Sequence, residues 1–363
     1  MRTGPKPTDE VEASHTTPEA SEVQRLLREM VTRGCRACAM EVSSHALVLH
    51  RVASTRFAAA IFTNLTRDHL DFHGDMASYF DAKCRLFDLL PPGAPAIINI
   101  DDPRGAELAT RVSRPVTFGI HKQADVRPES VQLSLDGLAF NVTTPTGTLA
   151  VRSSLVGWPN VYNTLGVVAT AISLGIAHEA IERGLANLEG VPGRFQVVSG
   201  STDDVRVVVD YAHTDDALKN LLETARPLTH GRLITVFGCG GDRDKTKRPL
   251  MGAVAARLSD LVVLTSDNPR SEDPTRIIDD IKRGIVPPPD PNAPKRVGTP
   301  LLVQMDRRIA IEQAIRASRA GDVIVIAGKG HEKTQTIGDR VSPFDDVEVA
   351  RAALNQRRAA PRV

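Results

Sequence analysis

The run Leu261-Val262-Val263-Leu264 and the polar stretch soon after it, Asp267-Asn268-Pro269-Arg270-Ser271-Glu272-Asp273-Pro274, decide how this chain is read. Four apolar residues bounded by polar ones suit a short buried strand, and a helix is expected to start near Thr275. Strand, polar loop and helix start form the unit by which an open α/β sheet presents a ligand loop at the carboxyl ends of its strands. The loop sets the fixed fork of Arg270 beside two carboxylates and an amide. That set suits a small zwitterion carrying both ammonium and carboxylate groups.

The same unit recurs on either side. Val205–Val209 runs into Asp210-Tyr211-Ala212-His213, and Leu233–Phe237 into Gly238-Cys239-Gly240-Gly241-Asp242-Arg243-Asp244. Val323–Ala327, read as the last strand, runs into Gly328-Lys329-Gly330-His331-Glu332. Helices are expected over about 215–226, 249–258 and 275–284, and Pro287 to Pro294 as an exposed loop. Four strands ending in polar or Gly-rich loops predict an α/β domain with a parallel sheet. It begins at the Gly/Pro cluster Gly190-Val191-Pro192-Gly193-Arg194, the best domain boundary in the chain.

The first half is also α/β. Residues 1–15 read as a disordered tail. Thr17-Pro18-Glu19 reads as a helix start with Thr17 as N-cap, followed by Val23, Leu26, Leu27, Met30 and Val31 at helical spacing. Ala37-Cys38-Ala39-Met40 is expected as a short buried strand delivering Glu41-Val42-Ser43-Ser44-His45. Ala58–Phe62 is expected as its parallel neighbour, delivering Thr63 to His69. A helix over 77–90 carries Lys83, strands follow at Ala96–Ile100 and Val116–Phe118, and Val131 to Leu155 reads as a small antiparallel sheet. Helices to about Leu174 and over 177–188 close this half.

Composition excludes several classes. Lys and Arg total 45 against 44 Asp and Glu, and aromatics are 4%, so neither a basic field nor stacking platforms recommend nucleic acid. No apolar run approaches the roughly 20 residues of a membrane span. Four cysteines in 363 residues suit a reducing compartment, and the cytoplasm is the expected location. The pair Cys35 and Cys38 lacks a second pair to complete a zinc site and reads as buried, unreactive thiols.

The strand-end loops carry the chemistry. The Gly238 loop ends in Lys245-Thr246 but has Arg243 where a phosphate loop needs glycine, and no G-x-x-x-x-G-K-[ST] occurs in the chain. Crowding Asp242, Arg243, Asp244 and Lys245 on one turn favours an anion site at Arg243 over a plain strand–helix turn. His69 and His73 stand at i, i+4 as in a helical zinc site, yet Leu70 occupies the place of the glutamate of H-E-x-x-H. Acids and imidazoles at a strand end also suit Mg²⁺, with Glu41 and His45 as neighbours. The plain alternative is a polar helix start capped by Asp68 or Asp71. Lys83, His213, His331 and Glu332 are ordinary taken singly.

Taken together, several segments in fixed order resemble a known family. They are Met40–His45, Thr63–Met76, Asp210–Thr214, Gly238–Pro249, Asp267–Arg270 and Ala327–Glu332. The chain resembles the Mur ligases of peptidoglycan synthesis from about Thr16 to about Leu354, in the branch that adds meso-diaminopimelate. The resemblance implies a Mur-ligase central domain over 16–189, a mostly parallel sheet with helices plus the small antiparallel sheet. A Rossmann-like, amino-acid-binding C-terminal domain over 190–363 follows. It implies an ATP-dependent amide ligase that joins the amino acid to UDP-MurNAc-L-Ala-D-Glu through an acyl phosphate, with Mg²⁺.

By the same resemblance Glu41, His69 and Lys83 are metal-site residues, Lys83 as a carbamylated lysine, and His213 joins them as a catalytic candidate. Thr16, Thr17, Ser43 and Arg51 would contact the nucleotide sugar, with Leu49 at a position that is often Gln. Asn160, Asn163, Arg194 and Asp210 would surround ATP. Arg243, Asp267, Asn268, Pro269, Arg270, Gly328 and Glu332 would form the amino-acid pocket, the two arginines holding a distal carboxylate and Glu332 a distal ammonium. The family's N-terminal nucleotide-binding domain and phosphate loop have no counterpart in these residues. A chain incomplete as a ligase is therefore expected: one part of a split enzyme that needs a separate N-terminal fragment, a truncated product, or a binding protein that retains the amino-acid pocket.

Overall fold

A computed structural model of the chain describes residues 15–66, 69–285 and 299–359. The expectations for residues 1–14, for Asp68 and for Pro287 to Pro294 fall outside them. The chain divides into two compact units. The first comprises residues up to Val131 with Phe140–Val151 and Pro159–Leu185. The second comprises Gln132–Ala139, Arg152–Trp158 and the chain from Ala186 onward.

The first unit opens with α1 (Ala20–Thr32) and α2 (Ser44–Val48), then β1 (Ala60–Phe62), α3 (Leu70–His73) and α4 (Met76–Asp88). β2 (Ala96–Asn99), α5 (Pro103–Arg111) and β3 (Pro115–Phe118) complete a parallel three-stranded sheet ordered β1-β2-β3. Its core joins Ala60, Phe62, Ala96 and Ile98 of the sheet to Tyr79, Phe80, Phe87 and Leu108 of α4 and α5. β4 (Arg127–Ser134), β5 (Gly137–Thr144) and β6 (Gly147–Ser153) form the small antiparallel sheet expected between Val131 and Leu155. α6 (Trp158–Ser173) and α7 (His178–Ala186) follow.

The second unit is built on β7 (Gln196–Val197), β8 (Arg206–Asp210), α8 (Asp215–Ala225), β9 (Leu233–Phe237), α9 (Lys247–Leu258), β10 (Leu261–Leu264) and α10 (Pro274–Ile285). β11 (Leu301–Val303), α11 (Arg307–Ala317), β12 (Val323–Ala327), β13 (Thr334–Ile337), β14 (Arg340–Pro343) and α12 (Asp346–Ala359) complete it. Among the described residues its sheet is six-stranded, ordered β11-β10-β9-β12-β8-β7, parallel except for β7. Alternate residues of each strand face opposite sides. Val208, Leu233, Phe237, Val262, Leu264, Val323 and Val325 pack under α8, α9 and α10. Val207, Val209, Ile234, Val236, Val263, Ile324 and Ile326 pack under α11 and α12. Strands covered on both faces read as near-continuous apolar runs, interrupted here by the buried Thr235 of β9, which is why these four short runs read as buried strands. The four strands with polar ends, β10, β9, β12 and β8, are consecutive neighbours, so their loops open at one edge.

Several expectations are corrected. Ala37 to Met40 is not a strand: it has no ladder partner and Ala37, Cys38 and Ala39 are exposed, so the parallel neighbour of β1 is β2. Apolar character without β-branched or aromatic residues was an inadequate strand signal there. The thiol of Cys38 is likewise exposed and that of Cys35 half-buried, so these are not core cysteines. Thr17 is not an N-cap, because α1 starts at Ala20 behind Glu19 and the Thr17 hydroxyl has tertiary partners instead. β12 is not the last strand, since the β13–β14 hairpin follows. No helix among the described residues is long and apolar enough to cross a membrane.

Candidate active site

The loop after β10 is held from three sides. Thr265, Ser266, Asp267 and Asn268 are all buried. The Gly241 N–H donates to the Asn268 carbonyl at 2.9 Å, and the Gln335 amide donates to the Asp267 carbonyl at 2.7 Å. Arg270 is clasped by the β13–β14 hairpin: its N–H donates to the Thr336 carbonyl at 3.2 Å and its carbonyl accepts from Gly338 N–H at 2.7 Å. This clasp holds Arg270 at φ +52°, a left-handed conformation that costs a non-glycine residue about 1 kcal/mol or more. Strain at a residue whose side chain faces a ligand loop is a mark of a functional site.

Side chains from three other loops converge on this one. Asn268 Nδ2 donates to Glu332 Oε2 at 2.9 Å, while Asn268 Oδ1 accepts from Thr336 N–H at 3.0 Å. Arg270 Nη1 donates to the Gly241 carbonyl at 2.7 Å, and a Cβ on Gly240 would stand 3.0 Å from the same nitrogen and 3.8 Å from Arg243 Cγ. Gly240 therefore leaves room for two arginines. Gly328, at φ +117°, brings its backbone against Asp267, where a Cβ would lie 3.4 Å from Oδ2. The Pro269 carbonyl accepts from Glu272 N–H and closes the turn. The structure thus brings together all seven residues expected of the amino-acid pocket, from the loops after β9, β10 and β12.

The charge crowd on the Gly238 loop has internal partners. The Asp242 carboxylate accepts from Ser271, that of Asp244 from Thr246, and Lys245 pairs with Glu272 at 3.1 Å. Among the described residues Arg243 donates only to the Asp242 carbonyl, at 3.2 Å, so the anion reading rests on that guanidinium. Beneath the loop, Arg248 is completely buried and donates to Glu272, Asp280 and the Gly240 carbonyl. Its hydrogen bond to Glu272, with that from Asp242 N–H, pulls the Glu272 carboxyl down to about 2. Burial pushes the Asp267 carboxyl up. Burial acts on Glu332 too, but hydrogen bonding and charge from Lys329, with help from Asn268 and Arg270, hold its carboxyl below the usual value.

A second cluster in the same unit surrounds Tyr211. Its ring lies 4.6 Å from that of His213 and 5.1 Å from that of His331, with the Arg194 guanidinium 5.4 Å from its centroid. Asp210 accepts from Phe195 N–H at 2.6 Å and Ala212 N–H at 2.7 Å, and burial raises its carboxyl. Arg194, Asp210 and His213 are brought together, with Asp210 acting as the clip that shapes the strand end.

In the first unit Thr17, Ser43 and Arg51 meet. The Thr17 hydroxyl donates to the Glu41 carbonyl at 2.9 Å and accepts from Ser43 N–H at 3.0 Å, and Arg51 Nη1 donates to the Thr17 carbonyl at 3.1 Å. Thr16 is exposed beside them, and Leu49 is half-exposed with no polar group to offer. His69 lies outside α3, at φ +53°, so the i, i+4 helical zinc geometry does not form. Instead His73 Nε2 pairs with Ser44 Oγ at 2.8 Å and its ring stacks on Tyr79. The His69 ring is 6.0 Å from Tyr79 and Lys83 Nζ is 5.3 Å from the same ring, so Tyr79 gathers two of the three expected metal-site residues. The Glu41 carboxylate is exposed and is not among them. No group of three His, Cys, Asp or Glu among the described residues could hold a metal ion. The set suits Mg²⁺ only where substrate oxygens supply most of the ligands. Asn160 and Asn163 share the first turns of α6, Asn163 Nδ2 donating to Asn160 Oδ1 at 3.1 Å.

Sequence reading missed the buried cations Arg248, Arg307 and Lys329 and the two tyrosines, Tyr79 and Tyr211, that organise the imidazoles. Lys329 carried a usable signal, since it follows an unbroken apolar strand and sits between two glycines.

Ligand loops gathered at the carboxyl ends of a mostly parallel sheet are a frame that many α/β enzymes share, and the sequence matches define the class here. The Mur ligase middle domain matches residues 2–171 and the Mur ligase glutamate ligase domain residues 193–330, and the chain belongs to the Mur ligase family. A relative from Gloeobacter violaceus named UDP-N-acetylmuramoyl-L-alanyl-D-glutamate–2,6-diaminopimelate ligase is 52% identical over 97% of this chain and 70% of its own length. A Thermosynechococcus vestitus protein of the same name is 49% identical over 96% of this chain and 69% of its own. A solved structure of that name has a TM-score of 0.69 at 37% identity, covering 95% of this chain and 69% of the other. These relatives are of the MurE type, the branch indicated by the sequence segments.

Proposed function

We propose that this chain is the ligase part that uses ATP to join meso-diaminopimelate to the D-glutamate of UDP-MurNAc-L-Ala-D-Glu. The observation that carries the reading is the pairing of a carboxylate handle with an ammonium handle in one pocket. Arg270 and Arg243 flank Gly240, while Asn268 and Glu332 meet at 2.9 Å on the other side of the same loop. A ligand with an amine and a carboxylate at its distal end satisfies both, whereas lysine leaves the arginines unpaired.

In this reading ATP phosphorylates the γ-carboxylate of the D-glutamate, and the incoming amine displaces phosphate from the acyl phosphate. The chain's share is to bind and orient. Asn268, Arg270 and Glu332 fix the amino acid by its distal end, so that its reacting amine is held in one direction. Asn160, Asn163, Arg194 and Asp210 are assigned to ATP, and Thr16, Thr17, Ser43 and Arg51 to the nucleotide sugar. Mg²⁺, which neutralises phosphate charge when bound, would be held mainly by substrate oxygens, with His69 and a carbamylated Lys83 beside Tyr79 as the chain's share and the exposed Glu41 apart from them. His213, whose Nδ1 lies 2.9 Å from the Tyr211 carbonyl, is assigned a catalytic role. We place the division between the two functional domains at 190.

Calorimetry tests the pocket directly. Meso-diaminopimelate binds the chain, L-lysine binds much more weakly, and Arg270→Ala removes that preference. Charge-assisted hydrogen bonds of about 1.5–3 kcal/mol correspond to roughly a 10- to 150-fold loss for diaminopimelate. Turnover is read as diaminopimelate-dependent ADP formation, with the chain alone and with the chain joined to the part of the Gloeobacter violaceus relative that it does not cover. A pocket that binds both amino acids equally, or neither, refutes the reading.

A further inference from the structure

Lys329 stands directly after β12, between Gly328 and Gly330, with its side chain completely buried. An ammonium is retained in an interior only when it is paired. Here its three hydrogens meet three acceptors: Glu332 Oε2 at 3.0 Å, Asn268 Oδ1 at 3.1 Å and Asp267 Oδ1 at 3.5 Å. All three partners belong to the pocket assigned above to the amino acid. A lysine needed only to fill space could be replaced by an apolar residue of similar volume. Among the described residues the hydrogen-bond partners of Lys329 Nζ are all pocket residues, so its polar effect falls there.

Two consequences follow from these contacts. Asn268 Oδ1 accepts from both Lys329 Nζ and Thr336 N–H, which fixes the amide with Nδ2 as donor. One Nδ2 hydrogen goes to Glu332 Oε2, and the other is left for a ligand acceptor. Lys329 and Asn268 both engage Glu332 through Oε2, so Oε1 stays available for a ligand ammonium among the described residues. Charge adds a further effect. Lys329 puts one positive charge within 3.5 Å of both Asp267 and Glu332. Without it, the pocket is more negative by one unit. It then favours a ligand with two ammonium groups and one carboxylate over one with two of each.

We propose that Lys329 is a positioning and specificity-determining residue. It presents Asn268 as a donor, leaves one Glu332 oxygen free, and biases the pocket towards diamino dicarboxylates over lysine-like diamines. The inference rests on the amino-acid reading of this pocket.

The test is calorimetry of meso-diaminopimelate and L-lysine with the chain, with Lys329→Met and with Lys329→Gln, folding being checked by circular dichroism and thermal midpoint. The expected result is a loss of diaminopimelate affinity of about tenfold or more, with lysine affinity unchanged or raised, so that the ratio falls by at least about tenfold. Equal weakening of both ligands, or an unchanged ratio in a folded variant, overturns the role of Lys329 and leaves the pocket reading standing. Failure of the unsubstituted chain to bind diaminopimelate overturns the pocket reading, and this inference with it. If neither variant folds, the side-chain amide resonance of Asn268 in the ¹⁵N-labelled chain decides. It is expected to shift with diaminopimelate and not with lysine, and the same response to both ligands overturns the proposal.

Discussion

Arg307→Met is expected to destabilise the second unit by leaving a buried carboxylate without its partner. Arg307 and Asp346 are both fully buried. Arg307 Nε donates to Asp346 Oδ1 at 2.8 Å and Nη2 to Oδ2 at 2.7 Å, and Nη2 also reaches the Ala327 carbonyl at 3.0 Å. The pair ties α11 to α12 and steadies the residue just before Gly328. Removing the arginine leaves Asp346 buried and charged, which generally costs about 3–5 kcal/mol.

Asp346→Leu leaves the guanidinium buried and unpaired in turn, and a comparable loss is expected. The double variant Arg307→Met/Asp346→Leu should recover much of the loss, since no charge is left unpaired. Scanning calorimetry at pH 7 measures this. A domain of about 150–250 residues loses roughly 2–4 °C per kcal/mol, so Arg307→Met should lower the affected transition by roughly 6–20 °C. A loss under about 1 kcal/mol at pH 7, or a double variant as unstable as the sum of the singles, would falsify the argument.

Three further outcomes follow from other parts of the structure. The Glu272 carboxyl, lowered from 4.5 to about 2, contributes stability that is fully present above its unfolded value and is lost as pH falls through about 2. Denaturant titrations between pH 6 and 2 should show this slope, and Glu272→Gln should flatten it. Gly241→Ala would drive a Cβ to within 1.8 Å of the Pro269 carbonyl, so the loop must shift. Diaminopimelate binding should fall by about tenfold or more, as displaced binding groups generally require, while Gly184→Ala, where the Cβ meets open space, leaves it unchanged. Tyr162→Phe removes the 2.8 Å hydrogen bond to Asp101, whose carboxylate also gathers the N–H groups of Ile120, His121 and Lys122. A loss of about 1–2 kcal/mol in thermal or urea unfolding is expected, and no change would show that the three N–H groups suffice.

Much of the second unit was readable because β8, β9, β10 and β12 are buried on both faces and so present near-continuous apolar runs, each stopping at a polar loop. The pocket residues were readable for the same reason, standing where those runs end. The hairpin was not, because Thr334-Gln335-Thr336-Ile337 and Arg340-Val341-Ser342-Pro343 are largely exposed and show no apolar alternation. α11 was obscured by Arg307, a charged residue on the buried face whose partner stands 39 residues later. In the first unit, Thr17 has the local signature of a cap, yet its hydroxyl is used 24 residues away. A residue with both a local and a distant use cannot be resolved by spacing alone.

The clasp on Arg270 also sets an order of assembly. The carbonyl of Asp267 and the amide of Asn268 take their partners from Gln335 and Thr336, 68 residues further on. A nascent chain that has emerged only as far as Ala327 holds the parallel strands but lacks α12, which covers one face of the sheet, and has nothing to hold Arg270 in its left-handed conformation. The form of this loop is therefore set after most of the strands exist. Ending the chain before Thr334 removes α12 as well as the clasp, so the sheet loses one of its covered faces together with the hold on Arg270.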